Sequence, residues 1–141
     1  PMKQVKGCPE SFDFDRLHEH LVRLRQEDTL LWPWYDRRHH DVIDDQIEVS
    51  APLVLVEGNY LLLDEEPWRS LKPLCDVSMF LYAEETQLYA RLIERKVRGG
   101  MMPHEAAAFA KGSDMRNVRR ILDRRLHADV ELILHEEGIS W

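Results

Sequence analysis

Glu57 follows four consecutive branched aliphatic residues, 53–56, and precedes Gly58. An apolar run of this length predicts a strand that is buried on both faces, as in a parallel α/β sheet. Open α/β sheets bind their ligands at the carboxyl ends of their strands, so the acid would lie where a ligand binds. The same pattern fits a core strand that simply ends in a turn, and both interpretations are open at this point.

Three arginines, Arg91, Arg95 and Arg98, fall within one narrow arc of the helix predicted for residues 84–98. Because guanidinium groups bind phosphate through two parallel hydrogen bonds, this arc predicts a phosphate clamp. Two glycines follow at 99–100, so the next helices could close over a nucleotide as a lid. The alternative is a solvated arginine row in which Glu94 neutralises one member.

Aromatic residues precede polar ones between residues 32 and 40. Trp32, Trp34 and Tyr35 come just before Asp36 and His40. Aromatic faces beside hydrogen-bonding groups are typical of sites that bind a hydroxylated or planar substrate. Aromatic packing at a domain edge is the competing interpretation.

The elements that must position these residues alternate between helix and strand. Asp13 is a plausible N-cap for a helix over residues 14–26, and residues 37–45 have the character of a surface excursion. Strands are predicted at 30–35, 53–56, 77–82 and 130–134, and further helices at 68–71, 84–98, 103–110 and 113–126. Gly112 is expected to end the helix at 103–110 and separate it from the helix at 113–126. This order predicts an α/β domain with a helical excursion near its end.

Length and charge limit the classes of function. A chain of 141 residues is long enough for one domain, so residues 1–141 are expected to form a single domain. The net charge is −7, but residues 91–125 carry ten Lys or Arg and four Asp or Glu, a balance of +6 that leaves −13 elsewhere. An acidic chain with one basic stretch suits a small anionic ligand better than nucleic acid.

Three further features of the sequence concern location and processing. No segment has the length of a membrane-spanning helix, so no membrane partner is expected. Cys8 and Cys75 lie far apart, which favours a reducing cytoplasm over a disulfide framework. The first residue is Pro1 rather than methionine, which suggests processing or truncation.

Three segments together resemble one family of enzymes. They are KGCPESFD at residues 6–13, YDRRHHD at 35–41 and VLVEGNYLLL at 54–63. In order and spacing they resemble the P-loop kinases of the uridine kinase, phosphoribulokinase and pantothenate kinase superfamily. The likeness extends from Lys6 to about Leu134 and is greatest to a branch of nucleoside or sugar kinases that includes fructose kinase-like proteins.

The resemblance implies a partial P-loop NTPase fold, with a parallel sheet flanked by helices and a helical lid at about residues 95–117. It also implies ATP and Mg²⁺ as cofactors. Glu57 matches the acid that helps hold the magnesium and the phosphates in this superfamily. Arg95 and Arg98 match lid arginines that contact the nucleotide phosphates. Tyr35 and His40 match residues that line the phosphoryl-acceptor pocket.

The chain also departs from the family pattern. It contains no G-x-x-x-x-G-K-[ST] motif and no counterpart of the acid after the second strand, which both precede this segment in the family. Gly7 stands where uridine kinases have an acidic substrate contact, and Met115-Arg116 stand where Gly-Pro is expected. Since one preorganised donor is worth on the order of 3 kcal/mol, the chain alone is expected to be inactive.

The resulting prediction is phosphoryl transfer from ATP to a hydroxyl of a small metabolite, such as a nucleoside, a sugar or a pantothenate-like compound. A nucleoside triphosphatase is the alternative within enzymes, and a non-catalytic binding or assembly module is the alternative outside them. Without the first strand of the fold, an unpaired sheet edge would favour homo-oligomers.

Overall fold

A computed structural model describes residues 7–36, 38–39, 41–135 and 138–140 of the chain. Its contacts divide into two compact units. One is Asp13–Gly58, and the other combines Pro1–Phe12 with Asn59–Trp141. The single-domain organisation stays a prediction.

The Asp13–Gly58 unit consists of helix α1 and a two-stranded hairpin. Helix α1 (Phe14–Leu24) begins at the predicted cap, because the Asp13 carboxylate accepts a hydrogen bond from the Arg16 amide at 3.2 Å. Strand β1 (Leu30–Asp36) pairs antiparallel with strand β2 (Asp41–Val49). The register shifts between Trp32 and Trp34, around Pro33, which has no amide hydrogen to donate.

Strand β2 corrects the prediction of a surface excursion over residues 37–45. Residues 41–44 are exposed, as expected, but they belong to a strand whose Val42 lies opposite Tyr35 and whose Ile47 lies opposite Trp32. Backbone pairing to β1 creates this strand. Because most of its described residues are exposed, the sequence lacks the alternation of apolar and polar residues that would predict a strand.

The predicted strand at residues 53–56 is wrong for this chain. The segment has no assigned strand, and the side chains of Leu53 and Leu55 are each 86% exposed. A buried strand needs hydrogen-bonded neighbours and covered faces. No strand among the described residues pairs with this segment, so its apolar composition alone does not make it a strand.

The other unit contains a small sheet in the order β3-β4-β5. Strand β3 (Met79–Tyr82) runs parallel to β4 (Val130–Leu134), and β5 (Ile139–Ser140) pairs antiparallel with β4. Buried Ser78 and exposed Asp129 hold the start of the parallel pair, where the Asp129 carboxylate accepts a hydrogen bond from the Ser78 amide at 2.8 Å. Strands β3 and β4 lie within the strands predicted at residues 77–82 and 130–134.

Three helices connect β3 to β4: α2 (Glu85–Arg98), α3 (Pro103–Phe109) and α4 (Met115–Asp123). Helix α2 ends as predicted, since Gly100 has φ +94°, a left-handed conformation that glycine adopts without strain. The predicted break at Gly112 is wrong. Ala110–Asp114 form a π-helical turn that continues into α4, and the Asp114 side chain makes no capping hydrogen bond.

The core of this unit forms around an aromatic cluster. The rings of Phe12, Tyr60 and Trp68 pack with centroids 5.5 to 5.9 Å apart. Two short 3₁₀ turns, Pro9–Ser11 and Trp68–Leu74, lie beside it in sequence, so the helix predicted at 68–71 is a 3₁₀ helix. Among the described residues, no helix combines the length and the apolar character needed to cross a membrane.

Candidate functional site

The three arginines of the predicted phosphate clamp lie on the exposed side of α2. Arg98 pairs with Glu94 at 2.6 Å, and both side chains are more than half exposed. Arg91 and Arg95 are exposed and have no ion pair among the residues that the structure describes. Because an exposed pair contributes only about 0 to 1 kcal/mol, a phosphate could replace Glu94 at little cost.

Helix α2 is held against the segment that follows it by Lys96, which the sequence analysis missed. The Lys96 ammonium lies 2.8 Å from the Asp114 carboxylate and 4.0 Å from the centre of the Phe109 ring. Both charged side chains are less than a fifth exposed. The hydroxyl of Tyr89 adds a hydrogen bond of 3.3 Å to the carbonyl of Ala107. These contacts pack α2 against α3 and the π turn. The sequence predicted a lid in this region but not the contacts that hold it together.

A second group of arginines lies on α4 and directly after it, outside the predicted clamp. Arg116, Arg119, Arg120 and Arg124 line a cavity of about 480 Å³ together with Glu65 and Asp123. The sequence showed the basic excess of residues 91–125 but placed the phosphate contacts on α2 alone. Repeated arginines at spacings of three and four residues were the signal that could have identified this face.

Arg120 anchors this cluster through two carboxylates. Its guanidinium forms a two-pronged pair with Glu65, at 3.1 and 2.6 Å, and also meets Glu10 at 2.7 Å. The hydrogen bond from Arg120 is the main cause that lowers the pKa of Glu10 to about 2. The same guanidinium lowers the pKa of Glu65. The cluster therefore ties the turn at residues 9–11 and the loop before Trp68 to α4.

Gly7, where uridine kinases have an acid, is held by its backbone. Its carbonyl accepts hydrogen bonds from the Tyr60 hydroxyl and, at 3.3 Å, from the Asn117 amide group. Burial is the largest cause that raises the pKa of Tyr60 to about 12, so the phenol remains a proton donor at neutral pH. Gly7 has φ +93°, which a residue with a side chain would adopt only with strain.

The hairpin carries Tyr35, one of the two predicted acceptor residues. A cavity of about 510 Å³ is lined mainly by Trp32, Trp34, Tyr35, Asp36, Arg38 and Ile47. Tyr35 is half exposed, as a substrate contact requires. Asp36 accepts hydrogen bonds from the Arg38 amide at 2.7 Å and lies 2.6 Å from Nδ1 of His39. His40 lies outside the described residues.

Glu57 is exposed and lies in the irregular segment after residue 53. It belongs to the same unit as Tyr35, whereas Arg95 and Arg98 belong to the other unit. Within the described ranges, no three His, Cys, Asp or Glu side chains are grouped closely enough to hold a metal ion. Glu57 therefore offers a single carboxylate.

The chain is similar to several known proteins. The uncharacterized protein YggC of Escherichia coli K12 is 43% identical over 137 residues, which cover 97% of this chain and 57% of YggC. The ATP-dependent kinase-like protein notR′ of Aspergillus versicolor is 31% identical, over 86% of this chain and 76% of that protein. This chain thus spans little more than half of YggC.

A solved structure and a family model also match this chain. The crystal structure of a proposed fructose transport system kinase from Silicibacter sp. TM1040 matches with a TM-score of 0.84 and 36% identity. The match covers 90% of this chain and 63% of that one. A model of the Phosphoribulokinase / Uridine kinase family matches residues 5–102. The resemblance seen in the sequence is confirmed, and this α/β chain is a member of the phosphoribulokinase and uridine kinase family of P-loop small-molecule kinases.

Proposed function

We propose that this chain forms the lid and the acceptor side of an ATP-dependent kinase that phosphorylates a hydroxyl of a small metabolite. The observation that carries the proposal is the exposed arginine arc of α2, on a helix that Lys96 fixes to the following segment. Family membership supports the reaction type, and a nucleoside, a sugar or a pantothenate-like compound is the acceptor class. The chain spans about half the length of YggC, so this activity is assigned to the whole enzyme.

Arg95 and Arg98 are the proposed phosphate contacts. Phosphoryl transfer depends on positioning and on stabilising the charge that spreads over the transferred group. Exposed guanidinium groups on a packed lid can meet that charge when the lid closes, and they cost little to release from solvent or from Glu94. Arg91, one turn earlier on the same arc, is a neighbour rather than a proposed contact.

Glu57 is the proposed magnesium-side residue. Kinases hold Mg²⁺ through one or two carboxylates together with the substrate phosphates rather than in an all-protein cage. A single exposed carboxylate fits that donor set. The ion, when bound with ATP, supplies charge neutralisation at the phosphates. Glu57 would hold the ion from the protein side.

Tyr35 and His40 are the proposed acceptor contacts. The cavity beside β1 offers the aromatic faces of Trp34 and Tyr35, both about half exposed, to a planar or hydroxylated ligand. Asp36 accepts a hydrogen bond from the Arg38 amide and lies beside His39, which precedes His40 in the sequence. Gly7 offers no acid to a ribose, which argues against uridine itself as the acceptor.

The 141 residues contain no phosphate-binding loop motif, so we expect no turnover from this chain alone. A non-catalytic assembly module is the second candidate. The observation that favours it is the exposed apolar surface of β3, where Met79 and Leu81 are 56% and 51% exposed. Homo-oligomers would cover that surface. The cytoplasmic location expected from the cysteine pattern is compatible with both the kinase and the assembly module.

The decisive experiment joins this chain to a P-loop segment from a family member and assays phosphorylation of nucleosides, sugars and pantothenate with Mg·ATP. Transfer to one acceptor class, lost when the P-loop lysine is replaced, is the expected result. Hydrolysis of ATP with no acceptor dependence would indicate a nucleoside triphosphatase. Stable oligomers of the 141-residue chain, without ATP binding by the chimera, would favour the assembly module.

A further inference from the structure

We propose that α4 carries a second anion site, distinct from the arginine arc of α2, which binds the phosphate group of a small phosphorylated ligand through Arg116 and Arg119. The proposal does not depend on the kinase reaction. It rests on the cavity of about 480 Å³ that three arginines of α4, and Arg124 just after it, share with Glu65 and Asp123.

The carboxylates of the cluster are unevenly distributed among the four arginines. Arg120 takes both oxygens of Glu65 and one of Glu10, so its charge is satisfied twice. Arg124 is left with a long contact of 3.4 Å to a Glu65 oxygen that Arg120 already uses. Two negative charges therefore converge on one arginine, and the amino-terminal half of α4 has fewer.

Arg116 is the arginine with the least compensation. Its Nε donates to the carbonyl of Gly112 at 3.1 Å, and no carboxylate pairs with it among the residues that the structure describes. The side chain is exposed, so its remaining N–H donors can turn toward a ligand. A guanidinium with one neutral partner keeps the forked donor edge that recognises phosphate.

Arg119 is paired, but weakly. Its Nε lies 3.0 Å from Glu85, with the arginine side chain 62% exposed and the glutamate 44% exposed. Solvent screens such a pair, so it contributes little to stability. A phosphate that brings two negative charges and several acceptor oxygens can therefore exchange with Glu85. Arg120 would stay bound to Glu65 and keep the helix in place.

Helix geometry places these two groups side by side. Residues three positions apart lie on the same helical face, so Arg116 and Arg119 are neighbours in the first turns of α4. Like charges at this spacing repel each other and destabilise a helix unless they share an anion. Asp123, the other acid of the cavity, lies in the last turn of α4. The geometry therefore favours the amino-terminal half as the position of the ligand phosphate.

The test is a titration of the ¹⁵N-labelled 141-residue chain with inorganic phosphate and, separately, with glycerol 3-phosphate, following the arginine Nε–Hε resonances. We expect saturable shifts at Arg116 and Arg119 in the millimolar range. Tighter binding of glycerol 3-phosphate would identify an organic phosphate as the ligand, and equal binding would identify the free ion. No saturable shift with either probe, or shifts confined to α2, would overturn the proposal.

Three variants keep the test independent of folding. R116Q/R119Q should weaken phosphate binding at least tenfold, whereas the control R91Q on α2 should change it less than twofold. Glu85→Gln removes the competitor of Arg119 and should tighten binding severalfold, a gain that unfolding cannot mimic. Equal losses in R116Q/R119Q and R91Q, or no gain with Glu85→Gln, would contradict a site on α4.

Discussion

Arg120 and Glu65 form a two-pronged ion pair, with Nε to Oε1 at 3.1 Å and Nη2 to Oε2 at 2.6 Å. The two side chains are 31% and 20% exposed, so solvent screens this pair less than the others on α4. Glu10 joins the same guanidinium from the turn at residues 9–11. One arginine thereby connects three segments that lie far apart in the sequence.

Arg120→Gln should lower the free energy of unfolding by about 1 to 2 kcal/mol, because it leaves Glu65 partly buried without its main partner. Urea denaturation measures the difference. Arg91→Gln is the matched control, since Arg91 is exposed on α2 and its loss should change stability by less than about 0.5 kcal/mol. Equal effects of the two substitutions would show that the cluster contributes nothing to folding.

The stability of the chain should fall at acid pH because of Glu10 and Glu65. Both have a pKa lowered from 4.5, to about 2 for Glu10, so their charged forms stabilise the folded state. That contribution is fully present above pH 4.5 and is lost as the pH falls toward 2. The difference in unfolding free energy between the native chain and Arg120→Gln should shrink over this interval. A difference independent of pH would contradict the assignment.

Lys96→Met should loosen the lid. The substitution keeps an apolar chain against Phe109 but removes the ion pair with Asp114. Amides of α3 and the π turn should then exchange with solvent about tenfold faster or more, since every 1.4 kcal/mol lost is a factor of ten. Lys111→Met is the control, because Lys111 is exposed and has no partner among the described residues. Unchanged exchange in Lys96→Met would mean that apolar packing alone holds the lid.

Arg95→Gln and Arg98→Gln should each weaken transition-state stabilisation in the P-loop chimera. The expected loss in kcat/KM is about tenfold to a hundredfold for each, in the range found when one charge-stabilising group is removed. Arg91→Gln, on the same arc, should cost less than threefold. If all three variants behave alike, the arc acts through its general charge and not through specific contacts.

Tyr35→Ala in the same chimera should raise KM for the acceptor about tenfold and leave KM for ATP within a factor of two. Tyr35 lines the hairpin cavity and is half exposed, so its loss removes a contact without opening the core. Leu31→Ala, at another exposed position of β1, is the control. A change in KM for ATP alone would place Tyr35 on the nucleotide side.

The sequence alone determined the structural elements that depend mainly on their own residues and near neighbours. The Asp13 cap, the glycine end of α2 and the apolar strands at 77–82 and 130–134 depend on the residues themselves, and the structure has each of them. The family was also evident from ordered motifs that span most of the chain. The roles of Glu57, Arg95, Arg98, Tyr35 and His40 stay predictions.

Tertiary structure decided what depends on partners distant in sequence. Residues 53–56 have the composition of a strand but lack a paired neighbour among the described residues, whereas β2 has little strand pattern and is a strand because β1 pairs with it. Gly112 does not break the helix, because a π turn continues the backbone hydrogen bonds. The convergence of Glu10 and Glu65 on Arg120 joins residues 55 or more positions apart, so only the folded chain could reveal which arginines are already neutralised and which can still bind an anion.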